Sequence, residues 1–237
     1  MSKPFYFKQF AVHQDRCAMK IGTDGVLIGA WTSLDNNPMS ILDIGAGTGL
    51  IALMLAQRSN AETIDAIEID EDAYEQCVEN FEASPWGDRL FCYHAGLDEM
   101  VDEIEAPYDL IISNPPFYTE DVSSGNSSRD KARQNSALPF DELLASIPKL
   151  LSPTGIFSVV IPFREEDNFL ALALNYGLYP KRILHVRGKV TSPFKRSLLE
   201  LSFKKTNPVI KALNIEIKRH EYTLEYTELT KAFYLKM

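Results

Sequence analysis

The stretch Ser40-Ile-Leu-Asp-Ile-Gly-Ala-Gly-Thr-Gly-Leu50 decides the fold of this 237-residue chain. A short apolar run leads into glycines at positions 45, 47 and 49, and a second apolar run continues from there. This order predicts a buried strand, a tight turn and a helix over Gly49–Arg58. Glycine permits the tight turn and lets a ligand approach the backbone closely.

The same alternation continues along the chain. Short apolar segments predict strands at Ser40–Ile44, Thr63–Ile69, Leu90–Tyr93, Tyr108–Ser113 and Gly155–Pro162. Helices are predicted at Asp24–Thr32, Gly49–Arg58, Asp70–Ala83, Phe140–Leu151 and Arg164–Tyr176, with Pro148 interrupting the fourth. The pattern predicts an α/β fold with a mostly parallel, doubly wound, Rossmann-like sheet. Arg182–Arg187 and Ser197–Lys204 predict an antiparallel hairpin towards the C-terminus, joined by the loop 188–196.

Length and composition favour one domain spanning residues 1–237, with a core at 40–205 and an extension at 206–237. The longest apolar run is far shorter than the ~20 residues of a membrane helix, so we expect no membrane association. No export signal is seen near the N-terminus. The three cysteines and four histidines are dispersed, which predicts no metal site and a reducing, cytoplasmic location.

Two acids flank the glycine turn in sequence and indicate what it binds. Glu68 ends the second predicted strand 19 residues after Gly49, where a carboxylate accepts hydrogen bonds from ribose hydroxyls. Asp43 precedes the first glycine and would repel a phosphate, so it suits a cationic ligand without phosphate, such as S-adenosylmethionine. The alternatives are that the glycines form only a turn and that Glu68 is a surface acid.

The stretch Tyr108-Asp-Leu-Ile-Ile-Ser-Asn-Pro-Pro-Phe117 is the most specific motif. Its strand ends at Asn114, at the edge of the sheet where open α/β folds bind ligands. The Asn114 side chain and the Pro115 carbonyl could accept the hydrogens of an amino group, turning its lone pair towards a methyl donor. Pro116 would help to fix the turn, and Phe117 could stack on a base. The alternative is a simple Asn-Pro turn with Phe117 in the core.

Together these three motifs resemble those of class I S-adenosylmethionine-dependent amino-methyltransferases, which leave S-adenosylhomocysteine as product. The resemblance implies that Gly45 and Gly47 wrap the methionine part of the cofactor and that Glu68 holds its ribose. The segment 1–39 would cover the cofactor, which makes Lys20 and Thr23 further candidates. The chain departs from the pattern after the third strand, where Gly96 or Leu97 lies in place of an acid that contacts the adenine. Only backbone groups could then bind the adenine there, unless the nearby Asp98 turns towards it.

Both ends of the chain resemble the bacterial family that methylates adenine N6 in valine tRNA, immediately 3′ of the anticodon. The matching segments are Phe7-Lys-Gln-Phe10, Met19-Lys-Ile-Gly-Thr-Asp-Gly-Val-Leu-Ile-Gly-Ala-Trp31 and Glu228-Leu-Thr-Lys-Ala-Phe-Tyr-Leu-Lys236. The resemblance implies a tRNA substrate. The sequence gives no evidence of an obligate protein partner. Alternatives are methylation of guanine N2 in ribosomal RNA or of a release-factor glutamine, and a non-catalytic RNA-binding protein.

The charge distribution also favours a polyanion as partner. Residues 1–180 carry a net charge of −17, whereas residues 181–237 carry +8. A basic segment on an acidic protein indicates a local binding surface for phosphates, although the charges could simply be solvated. The predicted RNA-binding residues are Lys189, Lys195 and Arg196 in this segment, with Lys181, Arg182, Arg187, Lys204 and Lys205 beside them, and Arg129, Lys131 and Arg133 in a long polar loop.

Overall fold

The computed structural model describes residues 3–104, 106–116 and 138–237. Within these ranges the strands are β1 Phe5–Tyr6, β2 Ala11–Val12, β3 Ser40–Ile44, β4 Thr63–Glu68, β5 Leu90–His94, β6 Tyr108–Ser113, β7 Leu151–Pro162, β8 Tyr179–Arg187, β9 Arg196–Ser202, β10 Val209–Asn214, β11 Glu216–Lys218 and β12 Glu221–Tyr222. The α-helices in the same ranges are α1 Thr23–Trp31, α2 Leu50–Arg58, α3 Glu71–Glu82, α4 Leu97–Glu103, α5 Phe140–Leu150, α6 Glu166–Asn175 and α7 Leu224–Thr230.

Eight strands form one sheet in the order β10-β8-β9-β7-β6-β3-β4-β5. Strand β9 runs antiparallel to both of its neighbours, β7 and β8, and the other pairings are parallel. The prediction of a mostly parallel α/β sheet is therefore confirmed, and so is the antiparallel hairpin formed by β8 and β9.

The sheet separates two apolar cores because its central strands are buried on both faces. Helices α1, α2, α3 and α7 contribute to one core, and α4, α5 and α6 contribute to the other. The strand β6 has buried residues in both cores, such as Leu110 on one side and Ile111 on the other. This explains why the strands appear in the sequence as continuous apolar runs. None of the helices in the described ranges is long and apolar enough to span a membrane.

Some elements differ from the sequence-based expectation. Pro148 does not interrupt its helix, because it lies in the last turn of α5 and the helix continues to Leu150. Strand β10 extends the sheet at one edge and pairs in parallel with β8, although four of its six residues are exposed. An exposed edge strand carries little apolar periodicity, and β1, β2, β11 and β12 are only two or three residues long. Such elements leave no clear pattern in a sequence.

Candidate active site

The loop after β3 is shaped by glycines with positive φ angles. Gly45 has φ 74° and Gly47 has φ 55°, a region that residues with a Cβ rarely adopt. A Cβ built on either residue would meet no atom within 4 Å, so both glycines border open space. The loop therefore presents bare backbone to a cavity, which is the arrangement that close approach of a ligand requires.

Glu68 connects this loop with the next one. The backbone N–H of Gly47 donates to Glu68 Oε2 at 2.8 Å, and the N–H of Asp70 donates to Glu68 Oε1 at 2.9 Å. The carboxylate is buried yet lines a cavity at the carboxyl end of β4. Since each carboxylate oxygen has two lone pairs, both can accept a further hydrogen bond from a ligand.

Asp43 lies behind the glycine loop and lines neither of the two cavities described below. Its side chain is fully buried, and Oδ2 accepts a hydrogen bond from the N–H of Ala52 in α2 at 3.1 Å. Oδ1 has no hydrogen-bond partner among the described residues. Burial raises the pKa of Asp43 to about 7, although the bond from Ala52 opposes this shift. Asp43 thus supports the start of α2, and its contact with a ligand stays a prediction.

A cavity of about 310 Å³ opens beside Glu68. The ends of β3, β4, β5 and β6 contribute to it, together with Leu138 and Glu142 from the region of α5. Leu97 lines this cavity at the start of α4, as the sequence placed it, and the neighbouring Asp98 lines it too. We call this space the smaller cavity. Its walls combine glycine backbone and apolar side chains with a few carboxylates, a mixture that is common for small-molecule sites.

Sequence reasoning missed how the N-terminal segment is held over the smaller cavity. Asn80 of α3 accepts from the N–H of His13 at 2.8 Å and donates to the carbonyls of His13 and Thr48, both at 2.9 Å. Gln76, one turn earlier, accepts from the N–H of Arg16 at 3.0 Å. The sequence did contain a signal for this contact, because Gln76 and Asn80 are polar residues on an otherwise apolar face of α3. We call residues 13–22 the strap.

The strap brings three further residues, Cys17, Ala18 and Met19, to the smaller cavity. Burial raises the pKa of the Cys17 thiol to about 12, and the carboxylate of Glu68 adds to the shift. The thiol is therefore protonated at neutral pH and contributes a small apolar surface rather than a nucleophile.

A second space of about 690 Å³, the larger cavity, also borders the glycine loop. Asn114 lines it directly after β6, and Ser113 anchors that strand end by donating to the carbonyl of Ile44 at 2.9 Å. The two cavities share five lining residues, which are Met19, Gly45, Gly47, Pro115 and Pro116. Asn114, Pro115 and Pro116 therefore stand where the two spaces meet. Phe117 lies outside the described residues.

The two candidate cofactor-binding residues of the N-terminal segment, Lys20 and Thr23, do not lie together at one cavity. Lys20 is exposed and lines the larger cavity rather than the smaller one. Thr23 begins α1, is exposed and lines neither cavity. A cofactor contact by either residue remains a prediction.

The basic residues fall into two groups because β8 and β9 run in opposite directions. Lys189, Lys195 and Arg196 lie at the end of the hairpin next to Pro162, and the last two line the larger cavity. The other group lies towards the opposite end of the sheet and comprises Lys181, Arg182, Lys204 and Lys205. RNA binding by these four residues stays a prediction. Arg182 forms an ion pair there with the buried Glu200 at 2.9 Å.

Arg196 has a second role in the fold. Its Nε donates to Asp24 Oδ2 of α1 at 2.7 Å, and both side chains are about one-third exposed, at 33% and 27%. The pair therefore ties the hairpin to α1 across the larger cavity. Lys195 is exposed and is the cleaner probe of phosphate binding. Arg129, Lys131 and Arg133 lie outside the described residues.

A doubly wound sheet, a glycine loop with an acid after the next strand, and an Asn-Pro-Pro turn between two connected cavities define a class I methyltransferase. The family model described as methyltransferase small domain matches residues 26–163. The chain belongs to this family of methyltransferases.

Full-length relatives narrow the relationship to one branch of the family, the proteins named tRNA1(Val) (adenine(37)-N6)-methyltransferase. The chain is 61% identical to the protein of that name from Flavobacterium johnsoniae, covering 98% of this chain and 100% of the relative. It is 48% identical to the one from Bacteroides fragilis over 100% of both chains. With the one from Pectobacterium carotovorum it shares 44% identity over 98% of this chain and 94% of the relative.

Solved structures support the fold. A predicted O-methyltransferase from Agrobacterium tumefaciens superposes with a TM-score of 0.65 at 17% identity, covering 89% of this chain and 96% of the other. A methyltransferase from Pyrococcus furiosus superposes with a TM-score of 0.53 at 22% identity, covering 73% and 79% of the two chains. At these identities the likeness extends to the fold alone.

Proposed function

We propose that this chain transfers a methyl group from S-adenosylmethionine to N6 of an adenine in tRNA. We further propose that the target is the position named in its relatives, adenine 37 of a valine tRNA. The observation that carries the proposal is the 61% identity to such a protein over that protein's whole length. Asn114 and the two prolines at the junction of the cavities supply the matching chemistry.

The smaller cavity fits the cofactor. Gly45 and Gly47 leave open space where a Cβ would otherwise project, so a ligand can lie directly against the loop. Glu68 reaches the same space with both oxygens held by backbone N–H groups, which presents its remaining lone pairs to ribose hydroxyls. Cys17, Met19 and Leu97 add apolar surface for the adenine and the methionine chain. When bound, S-adenosylmethionine supplies an electrophilic methyl group on its sulfonium.

The larger cavity fits the target base. An exocyclic amine of adenine is a weak nucleophile because its lone pair is delocalised into the ring. The Asn114 side-chain oxygen and the Pro115 carbonyl would accept its two hydrogens, which lets the nitrogen become pyramidal and stabilises the positive charge that develops on it. Both residues line the larger cavity, and Pro115 lines the smaller one too, so the amine would be held close to the methyl donor.

An unpaired base in an RNA loop suits this arrangement. Extruding a base from a duplex typically costs a few kcal/mol, whereas a loop base is already free to turn outwards. Lys195 is exposed at the mouth of the larger cavity, where it can hold a neighbouring phosphate. The acidic remainder of the chain would otherwise repel RNA, so this local positive charge supports an RNA substrate.

Transfer of a tritiated methyl group to tRNA tests the proposal. The substrates are a valine tRNA transcript and a matched transcript in which the target adenosine is replaced by guanosine. We expect N6-methyladenosine in digests of the first transcript and no label in the second, and Asn114→Ala should transfer no label to either. Label in a different nucleoside, or in a release factor but not in tRNA, would overturn the proposal.

A further inference from the structure

One wall of the larger cavity contains two aromatic rings. Phe163 lies in a short 3₁₀ turn after β7, and Phe194 lies in the β8–β9 loop. Their ring centroids are 5.3 Å apart, and the N–H of Phe163 donates to the carbonyl of Lys195 at 3.1 Å. The two rings are thus carried by segments that are bonded to each other. We call this pair the aromatic wall.

Behind the aromatic wall lies the imidazole of His185. Its ring centroid is 5.0 Å from that of Phe163, in an edge-to-face contact, and 5.4 Å from that of Phe194. His185 does not line the cavity, but both rings that do so rest against it. The guanidinium of Arg187 lies 4.7 Å from the centre of Phe194 and supports that ring too.

The imidazole is itself held in place by a carboxylate. Nε2 of His185 lies 3.0 and 2.9 Å from the two oxygens of Glu166, the first residue of α6. Ser197 donates to the same carboxylate. His185 and Ser197 are directly paired across β8 and β9, so their side chains leave the same face of the sheet. A single carboxylate can therefore bind both.

We propose that Phe163 and Phe194 form the surface on which a planar base stacks in the larger cavity, and that His185 is the positioning residue that sets this surface. The inference rests on the proposed function. Aromatic rings bind unpaired bases through their faces, and the same cavity contains Asn114, which would accept the target amine. Glu166 holds the imidazole from behind, so His185 offers both rings a support that is itself held in place. The wall therefore fixes where the amine lies relative to Asn114.

Steady-state kinetics of four variants tests this inference, with calorimetry of S-adenosylmethionine binding alongside. Phe194→Leu should lower kcat/KM for tRNA by roughly 5- to 150-fold, the range for losing one base–aromatic stack. Phe194→Tyr keeps the ring and should remain near wild type. His185→Ala should lower kcat on the order of 10- to 100-fold through misplacement of the amine, with an unchanged cofactor Kd. Tyr176→Phe is the matched control. Tyr176 follows the last residue of α6, at the opposite end of that helix from Glu166, and the substitution removes only its hydrogen bond to Asp141.

A double variant separates positioning from general damage. If His185 acts through the wall, His185→Ala should lower kcat/KM by a smaller factor in the Phe194→Leu background than in wild type, because one of the two rings that it positions is gone. Additive losses, or losses of cofactor affinity equal to those of kcat/KM, would overturn the inference. So would unchanged kinetics in Phe194→Leu and His185→Ala. Should His185→Ala fail to fold, His185→Gln keeps a donor for Glu166 without the ring and gives the same comparison. A wild-type protein that methylates no RNA would instead refute the proposed function.

Discussion

Replacing Glu68 by alanine should weaken the binding of S-adenosylmethionine by about 1.5–3 kcal/mol, roughly 10- to 150-fold in Kd. The carboxylate is proposed to accept hydrogen bonds from the ribose hydroxyls, and bonds to a charged acceptor lie in this range. The change also removes the acceptor for the N–H groups of Gly47 and Asp70, which lie 2.8 and 2.9 Å from it. The loops after β3 and β4 thus lose their common link at the cavity.

The size of the effect depends on what replaces the lost bonds. Asp70 is exposed and Gly47 is half-buried, so water can satisfy both N–H groups in the variant. The loss of loop stability is therefore smaller than the loss of ligand contacts, and we expect the upper half of the range only if the loops also move. Glu68→Gln keeps the shape and one acceptor oxygen, but its NH₂ must face one of two N–H donors. It should fall between wild type and Glu68→Ala.

Titration calorimetry with S-adenosylmethionine measures the effect, and urea denaturation shows whether each variant is folded. Glu71→Ala is the matched control, because Glu71 is an exposed acid three residues away that lines neither cavity. A folded Glu68→Ala protein with the Kd of wild type would refute the reasoning. The ribose contact would then have to be sought at Asp70, which lines the same cavity.

Three further predictions address the other parts of the site. Asn114→Ala should abolish methyl transfer while calorimetry shows cofactor affinity nearly intact, and loss of that affinity in a folded variant would contradict the assignment. Burial raises the pKa of Asp43 to about 7, so the folded protein holds a proton that the unfolded chain releases near its ordinary, lower pKa. The free energy of unfolding should therefore fall by on the order of 1 kcal/mol from pH 6 to pH 8 through this group. Asp43→Asn should lack this fall in urea denaturation at the two pH values, and equal pH dependence in both proteins would contradict it. Lys195→Ala should flatten the slope of log tRNA affinity against log salt by ~0.7, whereas Lys204→Ala, at the other end of the sheet, should leave it unchanged; equal slopes in the two variants would remove Lys195 from the RNA surface.

The sheet and the cofactor side of the site were predictable because local patterns determine them. A strand buried on both faces is largely apolar, which is why the run Ile41–Ile44 could be recognised as a strand. A loop with positive φ angles favours glycine, which is why Gly45 and Gly47 could be recognised as the turn. The family assignment that these motifs suggested is confirmed by the full-length relatives. The roles of the individual site residues stay predictions.

The parts that sequence did not predict depend on distant pairings. The position of a lysine along a hairpin decides which end of the sheet it occupies, so the basic segment divides into two groups only once the register of β8 and β9 is known. Asn80 and Gln76 hold a strap that precedes them by about 60 residues, and no local pattern connects the two. The aromatic wall could not be predicted from a local pattern either, because Phe163 follows β7 and Phe194 lies in the β8–β9 loop.

Asn80 joins the strap and the glycine loop at a single side chain. Its amide binds the backbone of His13 at both the N–H and the carbonyl, and binds the carbonyl of Thr48 as well. Below it, a Cβ on Gly49 would lie 2.8 Å from Cys77 Sγ and 2.5 Å from the ring of Phe81, so α3 also abuts the foot of that loop. Helix α3 therefore supports both the strap and the glycine loop. A substitution that moved this helix would therefore be expected to move the strap and the glycine loop, and so to change the smaller cavity from two sides at once.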